Sequence, residues 1–168
     1  MALAAEPLVR RRLTQAELDV VCARHDRLFQ ARPGGARAVF AWMDLSGLCL
    51  KGRNLADADF AAACLEGCDL TGAKLDNANF FGADMQDAIL AEASLRRSDL
   101  RGACLRGADL SGADMFEADL REGTIAAADA KLGFKVIEPR HRDETEANGA
   151  CLAGANLQRS KICLLYTS

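Results

Sequence analysis

The chain has 168 residues, 50% of them hydrophobic and 27% charged, with a formal net charge of -3, a balance that fits one folded domain. Aromatic residues make up only 5%, which argues against a jigsaw core of large side chains and for a regular, narrow interior. No apolar run reaches membrane-spanning length, and seven cysteines without C-x-x-C spacing argue against a zinc site or a disulfide framework, so reduced thiols and a cytoplasmic location are expected.

At the N-terminus, "MALAAEPLVRRR" carries Glu6 inside its apolar part and its arginines afterwards, the reverse of a secretory signal. Thr14 and Glu17 then form a capping box, with Leu13 and Leu18 at the staple positions. Leu18, Val21, Cys22, His25, Leu28 and Phe29 keep helical spacing until Pro33 and Gly34 stop it. This predicts an amphipathic capping helix over about 15–31, within an N-terminal segment 1–42. His25 on that apolar face is expected to be packed and hydrogen-bonded rather than catalytic or metal-ligating. Phe40 and Trp42 are expected to pack where the helix meets the next element.

From Leu45 a large apolar residue recurs every fifth position through Leu50, Leu55, Phe60 and on to Leu120 and Ile125, fading at Ala130. Two positions before most centres stands a small residue, such as Ala58, Ala63, Cys68, Ala73 or Ser98. A period of five suits neither a helix nor a strand, but it suits short extended pieces joined by regular corners, with the centre and the small residue pointing inward. Glycine often closes the word, as at Gly67 and Gly107. Such a chain coils into a solenoid. Met43, Leu48 and Arg53 break the small-residue rule, and an inward arginine requires a partner or an open end, so Arg53 is expected beside the helix.

The words "ADLSG", "ANFFG", "CDLTG" and "SDLRG" resemble the pentapeptide-repeat family over about 43–132 and again over about 150–164. "HDRLF" followed by "GGARA" also resembles the lead-in found before the first word in that family. The resemblance implies an all-β solenoid, a right-handed quadrilateral parallel β-helix with four words per coil, here with an N-terminal α-helical cap. Residues twenty apart would then stack, placing Phe60, Phe80, Leu100 and Leu120 on one wall.

The register lapses over "KLGFKVIEPRHRDETEAN" and resumes at Leu152, which marks 133–149 as an inserted loop with a short strand or hairpin at "LGFKVIEP". "KICLLYTS" departs in composition from everything before it and resembles translated adapter sequence, so 161–168 reads as a non-native tail.

Nucleophile–base pairs, paired carboxylates and phosphate loops are not apparent, and only His25 and His141 supply imidazoles. No enzyme activity, cofactor or metal is therefore expected. The aspartates recur at outward corner positions, where their side chains bond nearby backbone. Asp59, Asn79, Asp99 and Asp119 would share a wall, with Arg101 and Arg121 two residues beyond the last two, as a ladder of charge pairs. The candidate interaction surface is Phe81, Arg96, Arg97, Asp99, Arg101, Arg106, Phe116, Asp119 and Arg121.

These features lead to a bacterial, non-catalytic scaffold that binds an unidentified protein partner. Direct nucleic-acid binding is not expected, because the bases are not concentrated on the repeat. The alternative comes from the resemblance: some family members mimic duplex DNA, bind the type II topoisomerase DNA gyrase and protect against quinolones. Residues 43–132 carry sixteen acids against nine bases, which points that way.

Overall fold

The structure, a computed structural model, describes residues 10–121, 125–129, 133–137 and 150–162. From Val39 the backbone pairs in parallel with the segment twenty residues later: Val39 with Asp59, Asp44 with Cys64, Cys49 with Asp69, and Asn54 with Lys74. Each partner pairs again at the same interval, so the chain winds into stacked coils with four walls. Wall 1 carries Val39, Asp59, Asn79, Asp99 and Asp119 outward; wall 2 carries Asp44, Cys64, Asp84 and Cys104. Wall 3 carries Cys49, Asp69, Ile89 and Asp109, and wall 4 carries Asn54, Lys74, Ser94 and Asp114.

The residue after each of these turns inward, and the interior is a column of buried leucine, phenylalanine and methionine centres alternating with alanine. On wall 1 Phe40 stacks on Phe60 at 5.1 Å between ring centroids, and Phe60 on Phe80 at 4.8 Å. The pairing begins at Val39, one word earlier than expected, with Ala38 as the small inward residue and Phe40 as the centre. The boundary at 43 therefore moves to 38.

Each corner is a tight turn. Ala63 N–H donates to the Phe60 carbonyl at 3.0 Å, and Ala62 between them has φ 53°, the pattern of a type II turn. Gly67 occupies the same place with φ 64°. Where an aspartate precedes the centre it fastens the turn: Asp59 accepts from Ala61 N–H at 3.1 Å, Asp69 from Thr71 N–H at 3.0 Å, and Asp109 from Ser111 N–H at 3.0 Å. The recurrence of Asp and Asn thus serves the backbone of the turn.

Strand β1 (Arg11–Arg12) pairs in parallel with β2 (Met43–Asp44), and Leu13 N–H donates to the Asp44 carbonyl at 2.9 Å. Leu13 is buried as a result, as an inward centre in line with Leu45. Helix α1 (Gln15–Phe29) follows with the expected capping box and ends two residues before the predicted stop, with Ala31 at φ 51°. It buries Leu18, Cys22 and His25. The Gln15 amide acts as a strand would, donating to the Cys49 carbonyl and accepting from Cys49 N–H, both at 2.9 Å. Asp19 pairs with Arg53 at 2.6 Å, which satisfies the inward-register arginine as expected.

Strand β3 (Asp119–Leu120) pairs in parallel with β6 (Lys161–Ile162), and the interval between stacked residues grows to 42 at Asp114 and Asn156. The added residues enter between walls 1 and 3 of the last coil. They include strand β4 (Ile125–Asp129), antiparallel to β5 (Gly133–Ile137). The short strand expected at "LGFKVIEP" is β5, but its partner is β4, so Ile125, expected as a coil centre, lies in an antiparallel pair; among the described residues the last coil-to-coil bond at the regular interval before it is Gly102 N–H to the Arg121 carbonyl. Lys161 and Ile162 keep the wall 1 register, so coil pairing extends into the segment read as a foreign tail. Residues 163–168, and His141 in the loop, lie outside the described residues.

Candidate interaction surface

Eight of the nine residues singled out from the sequence gather around wall 1. Asp99 and Asp119 stand on the wall itself. Phe81, Arg101 and Arg121 follow wall 1 centres and so line the corner towards wall 2; Arg96, Arg97 and Phe116 follow wall 4 centres and line the opposite corner. Arg106 is the exception, at the corner between walls 2 and 3, where it donates to Gln86 Oε1 at 2.6 Å.

The two aromatic rings are not open. The Arg101 guanidinium lies 5.3 Å from the Phe81 centroid, while Arg96 and Arg159 approach Phe116 at 4.8 Å and 5.9 Å. The same arginines bind carboxylates. Arg101 forks onto Asp99 with bonds of 2.8 and 2.6 Å, and Arg121 repeats the fork on Asp119 at 2.9 and 2.7 Å. Arg96 reaches Asp114 at 2.7 Å, Arg159 reaches Glu117 at 3.2 Å, and Arg97 donates to Asn77 Oδ1 at 3.0 Å. The Arg121 fork holds the Asp119 carboxyl below the usual carboxylate range, against the opposing effect of burial.

Each contact is weak: exposed ion pairs contribute about 0–1 kcal/mol and exposed cation–π contacts about 0.5–1 kcal/mol. An arginine can therefore leave its own aspartate for a partner's carboxylate or carbonyl at small cost, uncovering a ring as it moves. Sequence reading missed Arg159, because its approach to Phe116 depends on the length of the insertion. The Arg96–Phe116 and Phe81–Arg101 contacts were signalled by their twenty-residue spacing.

Charge divides by wall. Among the described coil residues, walls 4 and 1 with their shared corner and the corner towards wall 2 carry seven acids and eight bases. Walls 2 and 3 with their two following corners carry Asp44, Glu66, Asp69, Asp84, Asp87, Glu92 and Asp109 against Lys51 and Arg106 alone.

Other reactive groups are accounted for by packing. Burial pushes the Cys22 thiol up to about 11 and the Cys68 thiol to about 12, far from thiolate chemistry. Cys64 and Cys104 share wall 2 but are separated by Asp84. Exposed Cys151 has its thiol lowered by the Ser111 hydroxyl and then by Ala153 N–H. No group of three or more His, Cys, Asp or Glu suited to a metal occurs among the described residues. No helix among them is long and apolar enough to cross a membrane.

Eight copies of the family described as pentapeptide repeats match residues 54–90, 78–115 and 93–124. Residues 54–124 are pentapeptide repeats. Solved pentapeptide-repeat proteins share the fold, and the chain spans less than two thirds of the length of the following two. HetL, involved in heterocyst differentiation regulation in the cyanobacterium Nostoc sp. strain PCC 7120, is 33% identical over 52% of this chain and 37% of its own, with a TM-score of 0.51. A pentapeptide-repeat protein of the Arabidopsis thaliana thylakoid lumen is 29% identical over 67% of this chain and 63% of its own, with a TM-score of 0.52. The plasmid-mediated fluoroquinolone resistance protein QnrB1 is 19% identical over 76% and 63%, with a TM-score of 0.31, a distance at which function does not transfer. No curated protein matches the chain in sequence.

Proposed function

We propose that the chain is a non-catalytic pentapeptide-repeat scaffold that binds a protein partner through wall 1 and its two flanking corners. The observation that carries this reading is the convergence there of Phe81, Phe116, Arg96, Arg101, Arg121 and Arg159 in weak, exchangeable contacts. Arginine and aromatic residues are the types most often found at the energetic centres of interfaces. The scaffold is the right-handed parallel β-helix of the family, and the N-terminal segment closes its first coil. The family's repeats support a rigid, regular surface rather than a reaction site.

The test is affinity capture from the source organism with wild-type protein, with Arg96→Glu/Phe116→Ala, and with Glu66→Gln/Glu92→Gln. A partner retained by wild type and by the second variant, and reduced at least tenfold with the first, supports the reading. Equal capture by all three, or loss confined to the second variant, contradicts it.

A second reading, a DNA mimic acting on a type II topoisomerase such as DNA gyrase, is favoured by the acidic excess of walls 2 and 3. A supercoiling assay decides it. Inhibition or quinolone protection that Glu66→Gln/Glu92→Gln weakens is expected on this reading, and no effect at micromolar protein rejects it.

A further inference from the structure

Besides Gln15 and Asp19, helix α1 meets the coil through a buried histidine. His25 is fully buried, and its Nδ1 accepts from Ala38 N–H at 3.0 Å, at the point where the backbone enters wall 1. Nδ1 must be unprotonated to accept, so the ring is neutral with its proton on Nε2. Nε2 lies towards the Ala56 backbone but lacks a hydrogen bond of full geometry, and the ring edge packs against Phe29 at 5.0 Å. Desolvation, aided by Arg37 on the connecting segment, opposes the charged ring, whereas the Ala56 backbone, Asp26 on α1 and Asp57 on the first coil favour it; the net effect lowers the pKa.

We propose that His25 is an acid-sensitive latch, whose protonation releases helix α1 and uncovers the N-terminal edge of the coil stack. A proton on Nδ1 removes the acceptor for Ala38 N–H and sets two donors against each other in a site closed to water. The sign follows from linkage. The released helix takes up its proton near the ordinary histidine value of about 6.5, whereas the docked form resists it. Docking is therefore independent of pH above about 6.5 and weakens below it, by up to about tenfold per pH unit until the docked form also titrates. The edge uncovered is a ready template for another strand.

The test is amide exchange and imidazole NMR on the full chain between about pH 7.5 and about pH 4.5, from roughly one pH unit above the ordinary histidine value to roughly two below it. Wild-type protein is expected to lose protection at Ala38 and Cys49 as the His25 ring titrates, beyond the intrinsic pH effect on exchange. His25→Asn keeps an acceptor near Nδ1 without a titrating group and should abolish that pH dependence, while His141→Asn should not. Parallel loss of protection in wild type and His25→Asn overturns the latch. If His25→Asn does not dock, wild type alone decides: a His25 transition that leaves Ala38 protected also overturns it.

Discussion

Phe60 and Phe80, twenty residues apart, lie face to face with ring centroids 4.8 Å apart and 5° between their planes. That separation is the spacing of neighbouring strands, so side chains in the column repeat with the backbone and each coil is seated on the one before it. Phe80→Ala should destabilise by about 3–5 kcal/mol through the cavity it opens. Phe80→Leu should cost clearly less, since Leu100 is the next occupant of the same column. Urea midpoints at constant m-value measure both; equal costs would mean that the rings do not share one column.

The corners impose a backbone requirement that packing cannot replace. A side chain at Gly67 would meet nothing within 4 Å, yet its φ is 64°. Gly67→Ala should therefore cost about 1–2 kcal/mol from conformation alone. Lys51→Ala, exposed at the preceding kind of corner position, should stay within about 0.5 kcal/mol. The same urea titrations compare them.

Acid should weaken the turns. The Thr71 hydroxyl and then its N–H lower the Asp69 carboxyl, and Ser111 does the same for Asp109. A carboxyl lowered on folding contributes stability that is present above its unfolded value, near 3.9, and is lost as pH falls through the folded value. Stability should thus be flat in this respect at neutral pH and fall below about pH 4. Asp69→Asn keeps an acceptor and removes the titration, so its unfolding free energy should depend less steeply on pH there than that of wild type.

Arg101 touches both Asp99 and Phe81, but all three are only half-buried. Arg101→Ala should change stability by less than about 1 kcal/mol. A loss of partner affinity with stability intact would mark Arg101 as a surface group, whereas a large loss of stability would make the pairing structural.

Local patterns were legible where physics is local. The five-residue period, the inward centres and the capping box of Thr14 and Glu17 are all read from neighbours in sequence, and the structure reproduces them. The first word escaped because Val39 stands where Asp usually fastens the turn and Trp42 where glycine usually closes it, at φ 62°. The Gln15 amide on Cys49 links residues 34 apart, and no periodicity predicts it. Grouping eight candidates on wall 1 and setting Arg106 apart needed only the position of each residue within a twenty-residue coil. Covering Phe116 with Arg159 needed the length of the insertion as well.

Wall 1 and its two corners form the proposed partner surface. Site-specific photocrosslinking tests it most directly, with benzoylphenylalanine placed at Phe81 or Phe116, or at Thr71 or Ala91 on the corner between walls 3 and 4, in extracts of the source organism. One adduct of defined mass is expected, shared by the first two positions and missing from the other two. Adducts confined to Thr71 and Ala91 would contradict it.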